Sequence, residues 1–264
     1  MYRTGLHGLI HPTAVIDPGA ELDADVEVGP FAVIGSRVQI GARTRIGPHA
    51  VLRGPMRIGC DNRIFQFASV GEDPQDKKYA GELTSLEMGD RNQIREFATL
   101  HRGTIQDQGV TRIGNDNLFM AYTHVAHDCR IGDQVIMANA ASLGGHVEIQ
   151  DWAILGGFTI VHQFCRIGTH SFCAMGSVLN KNVPPYVMVD GHPAEPRGIN
   201  FEGLHRRGFS ADSIQAIKRA YRTLYMANLK RDDALARIRE MAEVTPILAV
   251  FADFIADTNR SLVR

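Results

Sequence analysis

Ile34-Gly35-Ser36-Arg37-Val38-Gln39-Ile40-Gly41-Ala42-Arg43-Thr44-Arg45-Ile46-Gly47-Pro48-His49-Ala50-Val51-Leu52 places an apolar residue at every sixth position. A helix repeats at about 3.6 residues and a strand at about 2, so this period fits neither. From this stretch the period reaches back through Val28, Leu22 and Ile16 to Ile10, and forward through Ile58 and Ile64 to Val70. It returns at Met88, Ile94 and Leu100, then runs from Ile113 through Phe119, Val125, Ile131, Met137, Leu143, Ile149, Leu155, Val161, Ile167 and Cys173 to Leu179.

Four positions after the apolar residue a slim one recurs, as at Ala14, Ala20, Ala32, Ala50, Ala68, Ala98, Ala141 and Ala153. It lies two residues before the next apolar one, so in a strand the pair shares one face and fills the interior. Between them stand turn formers, as in Ile46-Gly47-Pro48-His49 and Ile113-Gly114-Asn115-Asp116, where Gly and Asn are expected to take positive φ and turn the chain. Each hexad is one short strand plus one corner. Hexads in series predict a parallel β-helix, and a coil that closes after three of them resembles the hexapeptide-transferase prism.

The chain of 264 residues, 44% of them hydrophobic, is long enough to bury a large core. A formal net charge of -1 argues against non-specific nucleic-acid binding. No apolar run is long enough to span a bilayer, and Met1 to Asp17 lacks the basic start and apolar stretch of a secretory leader, so a cytoplasmic protein is expected. The four cysteines form no C-x-x-C pair. Cys129 and Cys165 take slim inward positions two coils apart, too far to bridge at a strand spacing of about 4.8 Å, and read as core thiols of a reducing compartment.

Two interruptions break the period. Near 72–86, Asp76 and Glu82 fall on would-be core positions, so this polar stretch must leave the prism as a loop. A second break near 102–112 shifts the phase by one residue and reads as a shorter excursion. The period ends at Asn182-Val183-Pro184-Pro185-Tyr186. Beyond it Ser210 reads as a helix N-cap, Ile214, Ile217, Tyr221 and Leu224 recur at helical spacing, and further helices are expected near Asp232 and Pro246. The expected organisation is a β-helix over 1–189 and a helical appendage over 190–264.

Residues 18 apart stack on adjacent coils, which puts His127, Gly145 and Gln163 in one column at the third position of their hexads, with His162 over Gly144. A solvent-facing histidine taken singly is a surface residue, and a Gly-Gly pair a turn. Seven histidines between His101 and His192, with His127, His146 and His162 on or beside one column and His124 close by, form a cluster of another kind. A glycine N–H beside an imidazole suits proton transfer next to an oxyanion. Clustered histidine also leaves a zinc reading open, which needs three His ligands and an open fourth position, as in a carbonic-anhydrase-like enzyme.

Several strings resemble the UDP-N-acetylglucosamine O-acyltransferase family. They are Gln66-Phe67-Ala68-Ser69-Val70-Gly71-Glu72, Gln75-Asp76-Lys77-Lys78-Tyr79-Ala80-Gly81-Glu82, Leu100-His101-Arg102-Gly103-Thr104, His124-Val125-Ala126-His127-Asp128-Cys129, Leu143-Gly144-Gly145-His146-Val147, Val161-His162-Gln163-Phe164-Cys165 and Asn200-Phe201-Glu202-Gly203-Leu204-His205-Arg206. The resemblance spans nearly the whole chain and implies a left-handed β-helix, a handedness that periodicity alone does not set. It also implies transfer of an (R)-3-hydroxyacyl chain from acyl carrier protein to UDP-N-acetylglucosamine, the first step of lipid A biosynthesis, by a homotrimer with no metal or organic cofactor.

By that resemblance His127 is the general base, Asp128 orients it, and the Gly145 N–H meets the oxyanion. Asp76 and Lys78 match contacts to the donor hydroxyl and the sugar nucleotide. His101, His124, His146, His162 and Gln163 match the cleft, and Asn200, Glu202 and Arg206 the uridine and diphosphate contacts. One subunit is expected to supply the histidine column and another the loop. Met175 stands where members with long-chain preference carry glycine, so its thioether is expected at the floor of the acyl groove, favouring a donor of roughly ten carbons over about fourteen. Whether the acceptor bears a 3-hydroxyl or a 3-amino group stays open, with His124 favouring the hydroxyl by resemblance. The N-acyltransferase of the same pathway resembles a longer chain with a globular domain ahead of its prism, whereas here the hexads begin at Ile10. A non-catalytic solenoid would leave the histidine column without consequence.

Overall fold

The computed structural model describes residues 9–257 and 260–264. Residues 1–8, on which part of the leader reading and the start of the 1–189 unit rest, lie outside them. Among the described residues, short strands form three sheets of nine, eight and ten members, and the chain visits the three in turn. Face 1 runs from Val15–Ile16 to Val178–Leu179, face 2 from Glu21–Leu22 to Arg166–Ile167, and face 3 from Glu27–Val28 to Phe172–Cys173. The result is a left-handed parallel β-helix with a helical part at its C-terminal end.

Register follows the hexads. Val33 pairs with Val15 and Ile34 with Ile16, a step of 18 residues. Across the first interruption Gln93 pairs with Arg63, a step of 30, and across the second Leu118 pairs with Gln93, a step of 25. The insertions therefore amount to 30 − 18 = 12 residues and 25 − 18 = 7 residues. Twelve is two whole hexads, which is why Asp76 and Glu82 fall in phase with the core although both lie outside it, half-buried on the loop. The strands Ser69–Glu72 and Ser85–Met88 bound the first excursion at 73–84, and Thr99–His101 and Val110–Ile113 bound the second at 102–109. The first is shorter at both ends than the sequence reading and the second at its C-terminal end, because backbone pairing carries the strands past the apolar hexad positions.

The interior is the predicted stack. Ile34, Ile58, Leu100, Phe119, Leu143 and Leu155 are fully buried, and Ala32, Ala50, Ala98, Ala141 and Ala153 take the slim positions beside them. All four cysteines are free, and burial pushes the Cys129, Cys165 and Cys173 thiols up to about 12, 11 and 12. These are core thiols without nucleophilic character.

The corners correct the expectation for glycine. Positive φ falls on the third residue after the buried one, as at Arg37 (55°), His49 (57°), Asp61 (58°) and Asp116 (58°), while Gly35, Gly47, Gly59 and Gly114, directly after the buried residue at these corners, are not left-handed. They are needed for space. A Cβ on Gly47 would lie 2.7 Å from the Gln66 nitrogen, and one on Gly41 would lie 2.8 Å from the Gly59 carbonyl carbon, because the next coil passes over that atom. The left-handed residue points outward, so at the corner between faces 3 and 1 Phe31, His49, Phe67, Phe97 and Tyr122 stack coil upon coil with ring centroids 5.0–5.2 Å apart.

At the corner between faces 2 and 3, a buried amide ladder bridges both interruptions. Asn62 donates to Gly89 O (2.9 Å) and accepts the Asn92 N–H (2.8 Å). Asn92 donates to Gly114 O (2.9 Å) and accepts the Asn117 N–H (3.0 Å), and Asn117 accepts the Val135 N–H (2.6 Å).

Past Leu179 the hairpin Val187–Gly191/Ala194–Ile199 extends face 3. Among the described residues four α-helices follow: α1 (Phe201–Arg206), α2 (Ala211–Tyr225), α3 (Arg231–Val244) and α4 (Ala249–Ala256). Ser210 caps α2 by accepting the Ser213 N–H at 3.1 Å, and Ile214, Ile217, Tyr221 and Leu224 form its buried face. Helix α3 begins at Arg231, and Pro246 opens a single 3₁₀ turn ahead of α4. Helix α1 has no counterpart in the sequence reading. The tail is tied to the prism where the Val263 N–H donates to Asn182 O (2.9 Å) and the Tyr186 hydroxyl to Ile247 O (3.0 Å).

Asn92→Ala strands the Asn117 N–H and the Gly114 carbonyl in the interior, at about 1–3 kcal/mol each. Chemical denaturation should show a loss of about 3 kcal/mol.

Candidate active site

Both interruptions leave the prism at the corner between faces 1 and 2, and His127, Gly145 and Gln163 stack at that same corner on the coils that follow. The two excursions and the histidine column are thus neighbours along one edge. A cavity of about 670 Å³ lies there, lined by Gln75, Asp76 and Lys78 from the first excursion, Gln106 and Asp107 from the second, and His127, His146, Gln163 and Phe164 from the column. Loop and column from a single chain line it. This corrects the expectation that one subunit supplies the column and another the loop: a loop ejected between faces 1 and 2 stays beside the corner it left.

Asp128 occupies the left-handed position of its hexad, with φ of 59°. Its side chain is only 1% exposed. The carboxylate accepts the Thr104 N–H at 2.9 and 3.1 Å, the Thr104 hydroxyl at 2.6 Å and the His127 Nδ1–H at 2.8 Å. Its own N–H donates to Thr111 Oγ1 at 2.8 Å. Burial by itself would raise this carboxyl's pKa, but the hydrogen bonds from His127 and Thr104, with His146 nearby, outweigh it and hold Asp128 below the usual carboxylate range. The charged carboxylate only accepts, so Nδ1 of His127 is the donor, and in the neutral ring the lone pair falls on Nε2.

His127 is 13% exposed, enough for Nε2 to face the cavity. The ring packs so close over Gly145 that a Cβ there would lie 2.7 Å from Nε2. Among the described residues the Gly145 N–H has no protein acceptor. His146 stands perpendicular to His127 at 5.1 Å and lies flat on Phe164 at 4.5 Å. Its Nδ1 is 3.2 Å from Asp107 Oδ2 and its Nε2 3.8 Å from Asp128 Oδ2. Asp107 also pairs with Arg130 at 3.3 Å.

Arg102 anchors the first excursion. Buried itself, it donates to Gly71 O (2.6 Å), Gly54 O (3.2 Å) and the Tyr79 hydroxyl (3.1 Å), and pairs with the Asp73 carboxylate. At the loop tip the Asp76 carboxylate accepts the Lys78 N–H at 2.9 Å, an Asx turn that leaves both side chains on the cavity wall. The sequence reading gave Thr104, Asp107 and Arg102 no role; Arg102 and Thr104 stood within a string quoted for the resemblance, and Asp107 only within an interruption.

His101 and His124 lie behind this wall on adjoining strands of face 1, edge to face at 5.1 Å, with His124 Nδ1 2.8 Å from Thr99 Oγ1. Burial first, then the neighbouring histidines, depresses His101 to about 4. Burial and His127 likewise lower His124. His162 is exposed, its Nδ1 3.1 Å from Gln163 O.

The remaining candidates are elsewhere. Asn200 sits at the corner between faces 2 and 3, where its side chain accepts the Gly203 N–H (3.1 Å) as the N-cap of α1 and donates to His170 O (2.9 Å). Glu202 and Arg206 are exposed on that helix. Met175, 75% exposed, stands at the corner between faces 3 and 1 beside Gly157. It floors no groove with His127 in this chain, because it lies two hexads beyond Gln163 and so two corners further round the coil.

His127, Asp128 and His146 form a group whose potential ligand atoms lie within 4.8 Å of one another. The zinc reading needs three imidazoles. The corner offers two, with a carboxylate already taken by Thr104 and His127, and this donor set does not fit it.

An acyl-[acyl-carrier-protein]–UDP-N-acetylglucosamine O-acyltransferase from Janthinobacterium sp. (strain Marseille) is 57% identical over 260 residues, covering 97% of this chain and 99% of that protein. The chain belongs to the UDP-N-acetylglucosamine O-acyltransferase family. A relative of the same name from Thiobacillus denitrificans is 58% identical over 255 residues, with 97% and 99% covered. The family model described as Udp N-acetylglucosamine O-acyltransferase, domain 2, matches residues 182–263, and a bacterial transferase hexapeptide model (six repeats) matches residues 19–54. Among solved structures, the Francisella novicida UDP-N-acetylglucosamine acyltransferase superposes with a TM-score of 0.95 at 43% identity, covering 97% of this chain and 94% of that one. The UDP-N-acetylglucosamine O-acyltransferase of Moraxella catarrhalis does so with a TM-score of 0.95 at 46% identity, covering 97% and 100%.

His101 predicts a pH dependence of stability. An unfolded histidine protonates near 6.5, whereas the folded one resists until about 4, so the unfolded state binds more protons between these values and stability falls as pH falls through that window. The loss attributable to this residue is about 3 kcal/mol between pH 7 and 4. Denaturation series should show His101→Leu with a correspondingly flatter profile.

Proposed function

We propose that this chain transfers an (R)-3-hydroxyacyl group from acyl carrier protein to the 3-hydroxyl of UDP-N-acetylglucosamine, the first step of lipid A biosynthesis. The carrying observation is the buried hydrogen-bond chain Thr104–Asp128–His127, which ends with the His127 Nε2 beside a glycine N–H that has no acceptor among the described residues. Nε2 takes the proton of the sugar hydroxyl as its oxygen attacks the thioester carbonyl carbon. Asp128 holds the ring and balances the imidazolium that forms. The Gly145 N–H stabilises the oxyanion of the tetrahedral intermediate. When the C–S bond breaks, the leaving thiolate takes the proton back from His127, and ester and free thiol are released. Such proton transfer needs neither metal nor organic cofactor.

Asp76 and Lys78 project from the anchored loop onto the same cavity, where a carboxylate suits the donor hydroxyl and an ammonium the diphosphate. His101, His124, His146, His162 and Gln163 complete the cleft wall. His101 and His124 serve as neutral hydrogen-bonding groups, since burial keeps them uncharged near pH 7. Asn200, Glu202 and Arg206 contact uridine and diphosphate from a neighbouring subunit, and Met175 limits the acyl chain from a neighbouring subunit as well. Their positions at other corners of the prism support this arrangement, as does the exposed aromatic stack that a second prism would cover. A closed ring of three copies satisfies both. Within each copy, 1–189 acts as the catalytic unit and 190–264 as the nucleotide-holding one. No described helix is long and apolar enough to cross a membrane, and the unbridged core thiols support a cytoplasmic location.

An assay with UDP-N-acetylglucosamine and hydroxyacyl carrier protein should show transfer by the wild type and a loss of about a hundredfold to ten-thousandfold in His127→Ala. Undiminished activity in that variant would remove His127 as the base. Offering a 3-amino sugar nucleotide beside the 3-hydroxyl one decides the acceptor, and faster transfer to the 3-hydroxyl is expected. Comparing donors, the wild type should favour roughly ten carbons over about fourteen, and Met175→Gly should shift preference to the longer chain. An unchanged preference would exclude Met175 as the length determinant.

A further inference from the structure

Thr104 is fully buried at the point where the second excursion leaves face 1, and both its donors are aimed at one carboxylate. Its N–H bridges the two Asp128 oxygens, and its hydroxyl reaches Oδ2 at 2.6 Å, the oxygen that also accepts the His127 Nδ1–H. From the other side Thr111, on the strand that receives the same excursion, accepts the Asp128 N–H at 2.8 Å. The seven-residue insertion is thereby closed on Asp128 from both ends, and it shapes the site without touching the reacting atoms. We propose that Thr104 is a positioning residue of the transfer reaction, holding the Asp128 carboxylate in the one orientation that keeps the His127 proton on Nδ1 and its Nε2 lone pair toward the cavity.

A carboxylate oxygen has room for several donors, and an unrestrained Asp128 could rotate about its terminal torsion, exchanging Oδ1 for Oδ2. The Thr104 hydroxyl removes that freedom. It also draws charge from Oδ2, which moderates the pull of Asp128 on the imidazole proton. Without it the carboxylate attracts that proton more strongly, and His127 becomes the stronger base with a less defined ring position. Other charged or titratable groups near His127 are His146 on the next coil, Asp107 from the second excursion, Asp76 and Lys78 from the first, and His101 and His124 from face 1. None of them touches the Thr104 hydroxyl, so its removal acts on His127 through Asp128 alone.

The inference rests on His127 acting as the base. Its test uses the full chain with Thr104→Val, Thr104→Ala and Thr104→Ser, assayed for kcat, KM and the pH dependence of kcat/KM, together with an NMR titration of the His127 ring without substrate. Thr104→Val and Thr104→Ala should lower kcat by about tenfold to hundredfold with KM nearly constant. They should also move both the acid limb and the ring titration to higher pH. Thr104→Ser, which keeps the hydroxyl, should restore both. Wild-type kcat and an unmoved limb in Thr104→Val would overturn the proposal, as would an equal loss in Thr104→Ser, which would make the methyl group the important feature. A wild type inactive with these substrates defeats the functional reading, and the ring titration then still decides whether Thr104 governs His127.

Discussion

Parallel pairing between residues one coil apart is the constraint on which the molecule depends. Most strands are two residues long and could not persist alone; each is stable because identical strands lie above and below it. That stacking demands a close approach at the corners, met at many of them by a glycine whose missing Cβ makes room for the next coil, beside a left-handed residue that turns the chain. The same register converts sequence position into place along three edges, so chemistry becomes a matter of which hexad falls on which corner.

The catalytic edge is where this regularity is deliberately broken. Insertions of 12 and 7 residues both emerge between faces 1 and 2, ahead of the coil that carries His127. A rigid column thus acquires two walls without disturbing the ladder behind it, because the Asn62–Asn92–Asn117 chain carries hydrogen bonding across the neighbouring corner. The walls are held by buried polar residues: Arg102 satisfies carbonyls at the base of the first, and Thr104 and Thr111 tie the second to Asp128. Burial of Asp128 is costly by itself, and its donors offset the cost, leaving a fixed charge beneath His127.

Much of this is legible in the order of residues. The alternation of Ile or Leu with Ala at hexad spacing identifies the core because only inward residues must be apolar, and the step of 18 brings His127 over Gly145. The failures share a cause. Gly47 was assigned the left-handed turn since glycine accepts positive φ, yet His49 adopts it and Gly47 serves close packing. Helix α1, which Asn200 caps, was missed because its six residues are too few to show a period. Thr104 and Asp107 carry no pattern at all, because loop residues are selected by what they reach.

Sequence alone determined the β-helix, the coil length, the two excursions and the histidine column, since these follow from a short-range repeat that every hexad reiterates. Tertiary structure decided that both excursions flank that column within one chain, that Thr104 and Asp107 hold Asp128 and His146, and that Met175 and Asn200 stand at other edges of the prism. These are contacts between residues whose separation obeys no period, and only the closed coil brings them together.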